Sequence, residues 1–114
     1  MEVLLWEAEA LNELGRTVEA QVPLERVRAR ARAQADDPST ALPPVAVTDQ
    51  QAMREAIRHE RQVELGFELH RFFDLVRWDI AADVVPFFQP GKHEVFPLPQ
   101  TEIDLNPALV QNPG

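Results

Sequence analysis

Cysteine is absent from the 114 residues, which excludes disulfides, thiolate zinc sites and a cysteine nucleophile. No apolar run comes near the roughly 18 residues that a membrane-spanning helix requires. A basic footprint is missing too: 11 Lys and Arg face 19 Asp and Glu, for a net charge of −8. That balance argues against a nucleic-acid-binding module. The opening Met1-Glu2-Val3-Leu4-Leu5-Trp6-Glu7 lacks the basic start of a secretory leader. Only four glycines occur, and none builds a phosphate loop or a nucleophile elbow; no Ser-His-Asp set is visible either. What remains is an ordinary globular composition, 45% apolar and 26% charged, with ten prolines and about one domain's length. Both ends stop abruptly, which leads us to expect a piece of a longer protein.

The apolar periodicity is helical. Leu4, Ala8, Leu11 and Gly15 share one face of a helix over residues 2–14, and Gly15 suits a left-handed stop. Thr17 is placed to cap a second helix, roughly 18–34. Pro23 leaves a later start open, with proline in the first turn. The short turn makes an antiparallel hairpin over 1–34. Residues 35–48 hold three prolines and no period, and read as an exposed loop. Thr48 or Asp49 opens a third helix running to about Leu69, and a further helical stretch covers 70–83. From 84 to 114 six prolines forbid a long helix, although His93–Leu98 could be extended. The fold class is therefore all-α: a tetratricopeptide-like hairpin, long helices over 49–83 and an irregular tail packed on them. The acid excess lies in loop and tail, and the helices are close to neutral.

Several motifs invite chemistry and mostly decline it. His59-Glu60 begins a zinc-protease signature, but Val63 stands where the second histidine belongs. His59 and His70 would lie about 16 Å apart along an axis rising about 1.5 Å per residue, too far for one metal. Glu60, Glu64 and Glu68 form a ladder without the Glu-x-x-His pairs of a di-iron bundle. Arg61 and Arg71 can interleave with it as ion pairs. Glu60 falls in the apolar stripe of Met53, Ala56, Val63 and Phe67, so its burial would require an arginine partner. Arg26, Arg28, Arg30 and Arg32 wrap over more than half of their helix at about 100° per residue, and read as a solvated or partner-contacting surface. Phe67, Phe72, Phe73, Trp78, Phe87, Phe88 and Phe96 are read mainly as core, with Phe87-Phe88 the pair placed to leave one ring outside. No catalytic residue, metal ligand or cofactor site is assigned, and the ligand-binding residues stay unknown.

The run Ile57-Arg58-His59-Glu60-Arg61-Gln62-Val63-Glu64-Leu65-Gly66-Phe67-Glu68-Leu69-His70-Arg71-Phe72-Phe73-Asp74-Leu75-Val76-Arg77-Trp78 closely resembles the signature region of the SusD/RagB family. Val95-Phe96-Pro97-Leu98-Pro99-Gln100-Thr101-Glu102-Ile103-Asp104-Leu105-Asn106-Pro107, followed by Gln111-Asn112-Pro113-Gly114, is similar to that family's closing segment. Ala8-Glu9-Ala10-Leu11-Asn12-Glu13-Leu14-Gly15 resembles part of its last helix pair. The resemblance implies a lipid-anchored nutrient-binding protein on the external face of the outer membrane of Bacteroidetes-type bacteria. It further implies a SusC-like TonB-dependent transporter as partner, an oligosaccharide ligand bound mainly outside these residues, and no enzymatic activity. The residues themselves suggest that the charged and aromatic rod clamps the closing coil. On that reading Arg71→Ala or Trp78→Ala lowers the melting temperature by several degrees, and an unchanged melting curve refutes it for that residue. Two rivals remain: a free-standing helical adaptor binding a protein through its hairpin, and a hydrolase using Glu60 or Glu64.

Overall fold

The computed structural model describes residues 1–113. Among them every regular element is a helix, in the order α1 (Glu2–Glu13), α2 (Thr17–Ala33), α3 (Gln50–Glu64), α4 (Arg71–Arg77), α5 (Ala81–Val84) and α6 (Gln100–Leu105). The all-α expectation holds. The chain forms two compact units, one of Met1–Leu69 and a second beginning at His70.

The first unit is the hairpin α1–α2 with α3 laid chiefly on α1. Its core is aliphatic: Leu5 and Ala8 from α1, Ala20, Leu24 and Val27 from α2, and Met53 and Ile57 from α3, joined by Leu65. These positions repeat at three and four residues, as helices packed along one stripe require. The buried stripe of α1 is centred on Leu5, Ala8 and Asn12, a slight rotation from the expected Leu4, Ala8 and Leu11. Leu4 and Leu11 are half-buried at its edge. Val3, Trp6, Val18 and Val22 face outward.

The turn between α1 and α2 contains Gly15 at φ +76°. A side chain there would meet no neighbour, so only the backbone conformation demands glycine. We expect Gly15→Ala to destabilise the unit by about 1–2 kcal/mol through left-handed strain; equal denaturation midpoints would remove that requirement. Thr17 does not cap α2, whose preceding residue Arg16 makes no side-chain cap. Its hydroxyl instead donates to Asn12 Oδ1 at 2.9 Å, inside the protein. Asn12 Nδ2 donates to the Gln50 carbonyl, and Gln50 Nε2 donates back to the Asn12 carbonyl. A fully buried amide is thereby satisfied on each side, as its desolvation demands.

α2 runs unbroken through Pro23. Proline forfeits one hydrogen bond there, but Ala20, Pro23, Leu24 and Val27 are all buried, so packing on α1 outweighs it. The loop after α2 is less exposed than its prolines suggested. Val45 and Val47 pack against the core, and Gln21 Nε2 donates to the Val47 carbonyl at 2.8 Å.

Asp49 caps α3 as expected, its carboxylate accepting from the Ala52 N–H at 2.8 Å. Arg54 reaches across to Glu13 with two hydrogen bonds at 2.7 Å. Arg54's hydrogen bonds hold the Glu13 carboxyl below the ordinary glutamate range. A carboxyl lowered on folding contributes stability above its unfolded pKa and loses it as pH falls through the folded one. Acidification should therefore weaken the unit, and Glu13→Gln should flatten that limb of the stability–pH curve. Superimposable curves for the two proteins would show that the pair contributes nothing.

α3 ends at Glu64, short of the expected Leu69. A Cβ on Gly66 would sit 2.9 Å from the Gln62 carbonyl oxygen, and Leu69 takes a left-handed φ of +61°. The chain therefore turns where the sequence pattern suggested a rod. The ladder spacing of Glu64, Glu68 and Arg71 is lost with it, because these residues no longer share one helix. His59 and His70 do not share a helical face either.

In the second unit α4 and α5 are separated by Asp79 at φ +56°. The tail is mostly irregular, but α6 forms just after Pro99. His93–Leu98 joins no strand among the described residues.

Candidate functional site

The clearest site in the first unit is a buried ion pair. Glu60, on the inner face of α3, is only 3% exposed. Arg28 Nη1 from α2 donates to Glu60 Oε2 at 2.5 Å. The same guanidinium donates to the Pro43 carbonyl, through Nη2 at 2.9 Å and Nε at 3.3 Å. One turn later Arg32 donates to the Leu42 carbonyl at 2.7 Å and to Glu25 at 2.8 Å. Sequence reading required an arginine for Glu60, and the structure supplies Arg28. The solvated reading of the four arginines fails for Arg28 and Arg32. Both bend back onto their own chain, because the carbonyls of Leu42 and Pro43 and the buried carboxylate need donors.

That geometry does not favour acid–base work. Glu60 is held by a cation and is shut away from solvent. Its partner lies in the hairpin, so this glutamate does not serve as a clamp on the closing coil. Among the described residues no three His, Asp or Glu side chains converge as a metal site would need.

The second unit offers a different surface. Phe72 and Phe73 of α4 stand edge to face, with centroids 5.9 Å apart. Phe72 also meets Phe88 at 6.3 Å and Phe96 at 5.9 Å, and Phe73 meets Phe96 at 6.4 Å. These separations suit the quadrupoles of aromatic rings. Within this unit, then, rings fasten the tail to α4, whereas Arg77 Nε donates to Asp74 of its own helix.

The turn Pro90-Gly91-Lys92-His93 positions one more ring. Gly91 adopts φ +82°, and its N–H donates to Glu94 Oε1 at 2.7 Å. That bond holds the Glu94 carboxyl below its usual range. The Gln89 N–H donates to His93 Nδ1 at 3.0 Å, which makes Nε2 the protonated nitrogen of the neutral ring. His93 stands edge-on to Phe88 at 5.7 Å. Together Phe72, Pro86, Phe88, His93, Phe96 and Pro97 line most of an open cavity of about 370 Å³. Phe87 lies at the same cavity, 94% exposed and at φ +69°.

The expectation for Phe87-Phe88 is met: Phe87 is out and Phe88 half-buried. The wider reading of the aromatics as core is corrected. Phe67, Phe73, Phe87 and Phe96 are exposed, since aliphatic side chains fill the first unit and the second is too small to enclose its rings. Val63, in the last turn of α3, is exposed as well. His93 was not singled out in the sequence, although a proline–glycine turn beside a histidine between phenylalanines was a usable signal.

Against known proteins, the model of the SusD family matches residues 2–91. SusD-like protein P25 of Formosa agariphila is 38% identical over 122 residues, covering 97% of this chain and 22% of its own length. SusD-like protein P2 of the same organism is 34% identical over 126 residues, with 99% and 24% covered. A solved SusD homolog from Bacteroides thetaiotaomicron aligns with a TM-score of 0.75 at 36% identity, over 97% of this chain and 25% of that one. The chain thus spans about a quarter of the length of the relatives it matches. The resemblance carried by the Ile57–Trp78 run and the closing segment is borne out, and the chain belongs to the SusD family.

Proposed function

We propose that residues 1–114 are a single C-terminal helical portion of a cell-surface protein that binds oligosaccharides or related nutrients. It works with a SusC-like TonB-dependent transporter at the external face of the outer membrane and is not an enzyme. The observation that carries this reading is the family match over residues 2–91, reinforced by the shared fold of the solved homolog. No helix among the described residues is long and apolar enough to cross a membrane, so attachment through a lipid anchor outside these residues fits. The relatives are about four times longer, and the oligosaccharide contacts belong mainly to that remainder. The two buried carboxylates among the described residues, Glu60 and Asp74, are paired with Arg28 and Arg77, which supports binding and architecture over catalysis.

Calorimetry of the whole protein against a panel of oligosaccharides tests this reading, with co-purification of a TonB-dependent barrel from membranes as its second arm. Saturable binding without release of reducing ends is expected. Hydrolysis that Glu60→Gln or Glu64→Gln abolishes would refute the non-enzymatic part. The adaptor reading draws on the exposed Val3, Trp6, Val18 and Val22. It predicts a protein partner on the hairpin and no oligosaccharide binding.

A further inference from the structure

We propose that the closing residues of the chain are a latch: the Gln111 and Asn112 side chains clip onto the backbone of Phe96-Pro97-Leu98, so that residues 96–112 open and close as one strap that carries Phe96 on and off its ring partners. The inference rests on bonds within those residues and is independent of which nutrient the protein binds.

Leu98 stands between two prolines, which have no N–H to give. Gln111 serves Leu98 in both directions. Its Oε1 accepts from the Leu98 N–H at 2.7 Å, and its Nε2 donates to the Leu98 carbonyl at 2.9 Å. One side-chain amide thus does for Leu98 what a paired residue on a neighbouring strand would do. The same Oε1 accepts from the Asn112 N–H at 3.0 Å, which occupies its second lone pair. Asn112 Nδ2 donates in turn to the Phe96 carbonyl at 2.7 Å.

The spans of these bonds make closure all-or-none. They join positions 13 and 16 apart. The chain between them bonds to near neighbours: the Ile103 N–H to the Pro99 carbonyl, Asn106 to Glu102 and Leu109 to Asn106. Closing a loop of this length costs chain entropy once. After the first long-range bond has formed, the others form with little further loss, so they make and break together. Pro97, Pro99 and Pro107 narrow the open ensemble and favour return. Among the described residues none from 96 to 113 is fully buried, so the strap has no core of its own and opens below the limit of global unfolding.

The latch acts on the ring cluster through Phe96. Its carbonyl is held by Asn112, while its ring lies 5.9 Å from Phe72 and 6.4 Å from Phe73. Fixing the backbone on one side fixes where the ring projects on the other. Phe96 and Pro97 also form part of the wall of the ring-lined cavity. Release of the two amides therefore withdraws that wall and leaves Phe72 and Phe73 in contact with each other.

The test is amide hydrogen exchange on the whole protein, resolved to single residues. Between Phe96 and Gln100 the one backbone N–H belongs to Leu98, so its signal is unambiguous. Gln111→Ala should speed Leu98 exchange about tenfold or more. Asn112→Ala removes no bond to Leu98, yet should speed the same amide about fivefold by opening the loop. Amides of Leu24 and Ile57 in the first unit should keep their parent rates. A fluorine label on the Phe96 ring should shift toward its solvent position in both variants. Leu98 exchange left unchanged by Gln111→Ala would overturn the proposal. Leu98 indifferent to Asn112→Ala would do so too, since the bonds would then act singly. Equal acceleration in the first unit would show general destabilisation instead of a strap, and a stationary fluorine signal would show that the strap does not carry the ring.

Discussion

Arg28→Ala should lower the melting temperature of the first unit by well over about 10 °C. The substitution leaves Glu60 buried without its cation, and breaking a buried pair in this way costs about 3–5 kcal/mol. It also strips the Pro43 carbonyl of its two donors. Small domains hold only about 5–15 kcal/mol in total, and each kcal/mol lost moves the midpoint by several degrees. Thermal unfolding followed by circular dichroism reads the effect directly. The double variant Arg28→Met with Glu60→Leu separates the pair's net contribution from the harm of orphaning one partner. Apolar replacement of both should recover most of the stability, as often happens for buried pairs. A single variant that melts within about 2 °C of the parent would mean that Glu60 finds other partners.

The second large effect concerns where the core lies. Leu24 is buried in the core that α1, α2 and α3 share, so Leu24→Ala should cost about 2–5 kcal/mol in lost burial and residual cavity. Phe67 is the larger side chain but is fully exposed, and Phe67→Ala should stay within about 0.5 kcal/mol. Denaturant midpoints for the two variants give the ranking. If Phe67→Ala proved the more damaging, the aliphatic core described above would be wrong.

Much of the first unit was legible in advance, and its residues say why. Helical periods, the Gly15 stop and the Asp49 cap are local signals, set by backbone sterics and one side-chain hydrogen bond. The need of Glu60 for a cation followed from its place in an apolar stripe. Its partner could not be read, because Arg28 stands 32 positions away and looked like one of four solvated arginines. The rod over 49–83 misled for a related reason. Its apolar spacing is helical throughout, yet Gly66, Leu69 and Asp79 break it through a close approach and two left-handed turns. Leu69 and Asp79 carry no glycine to mark them. The ring-lined cavity was half visible: the phenylalanines were counted, but assigned to a core that a short, proline-rich unit cannot close around them. The tautomer of His93 depends on the Gln89 amide, and only coordinates reveal it.

The loop after α2 is tethered along one stretch and left slack along another. Arg28, Arg32 and Gln21 grip the carbonyls of Pro43, Leu42 and Val47, whereas Asp37, Ser39 and Thr40 bond locally, to one another and to the Ala41 N–H. Insertions among residues 36–40 would lengthen a free bight without loosening any knot. The same insertion among residues 42–47 would pull carbonyls off their donors and open the seam between α2 and α3.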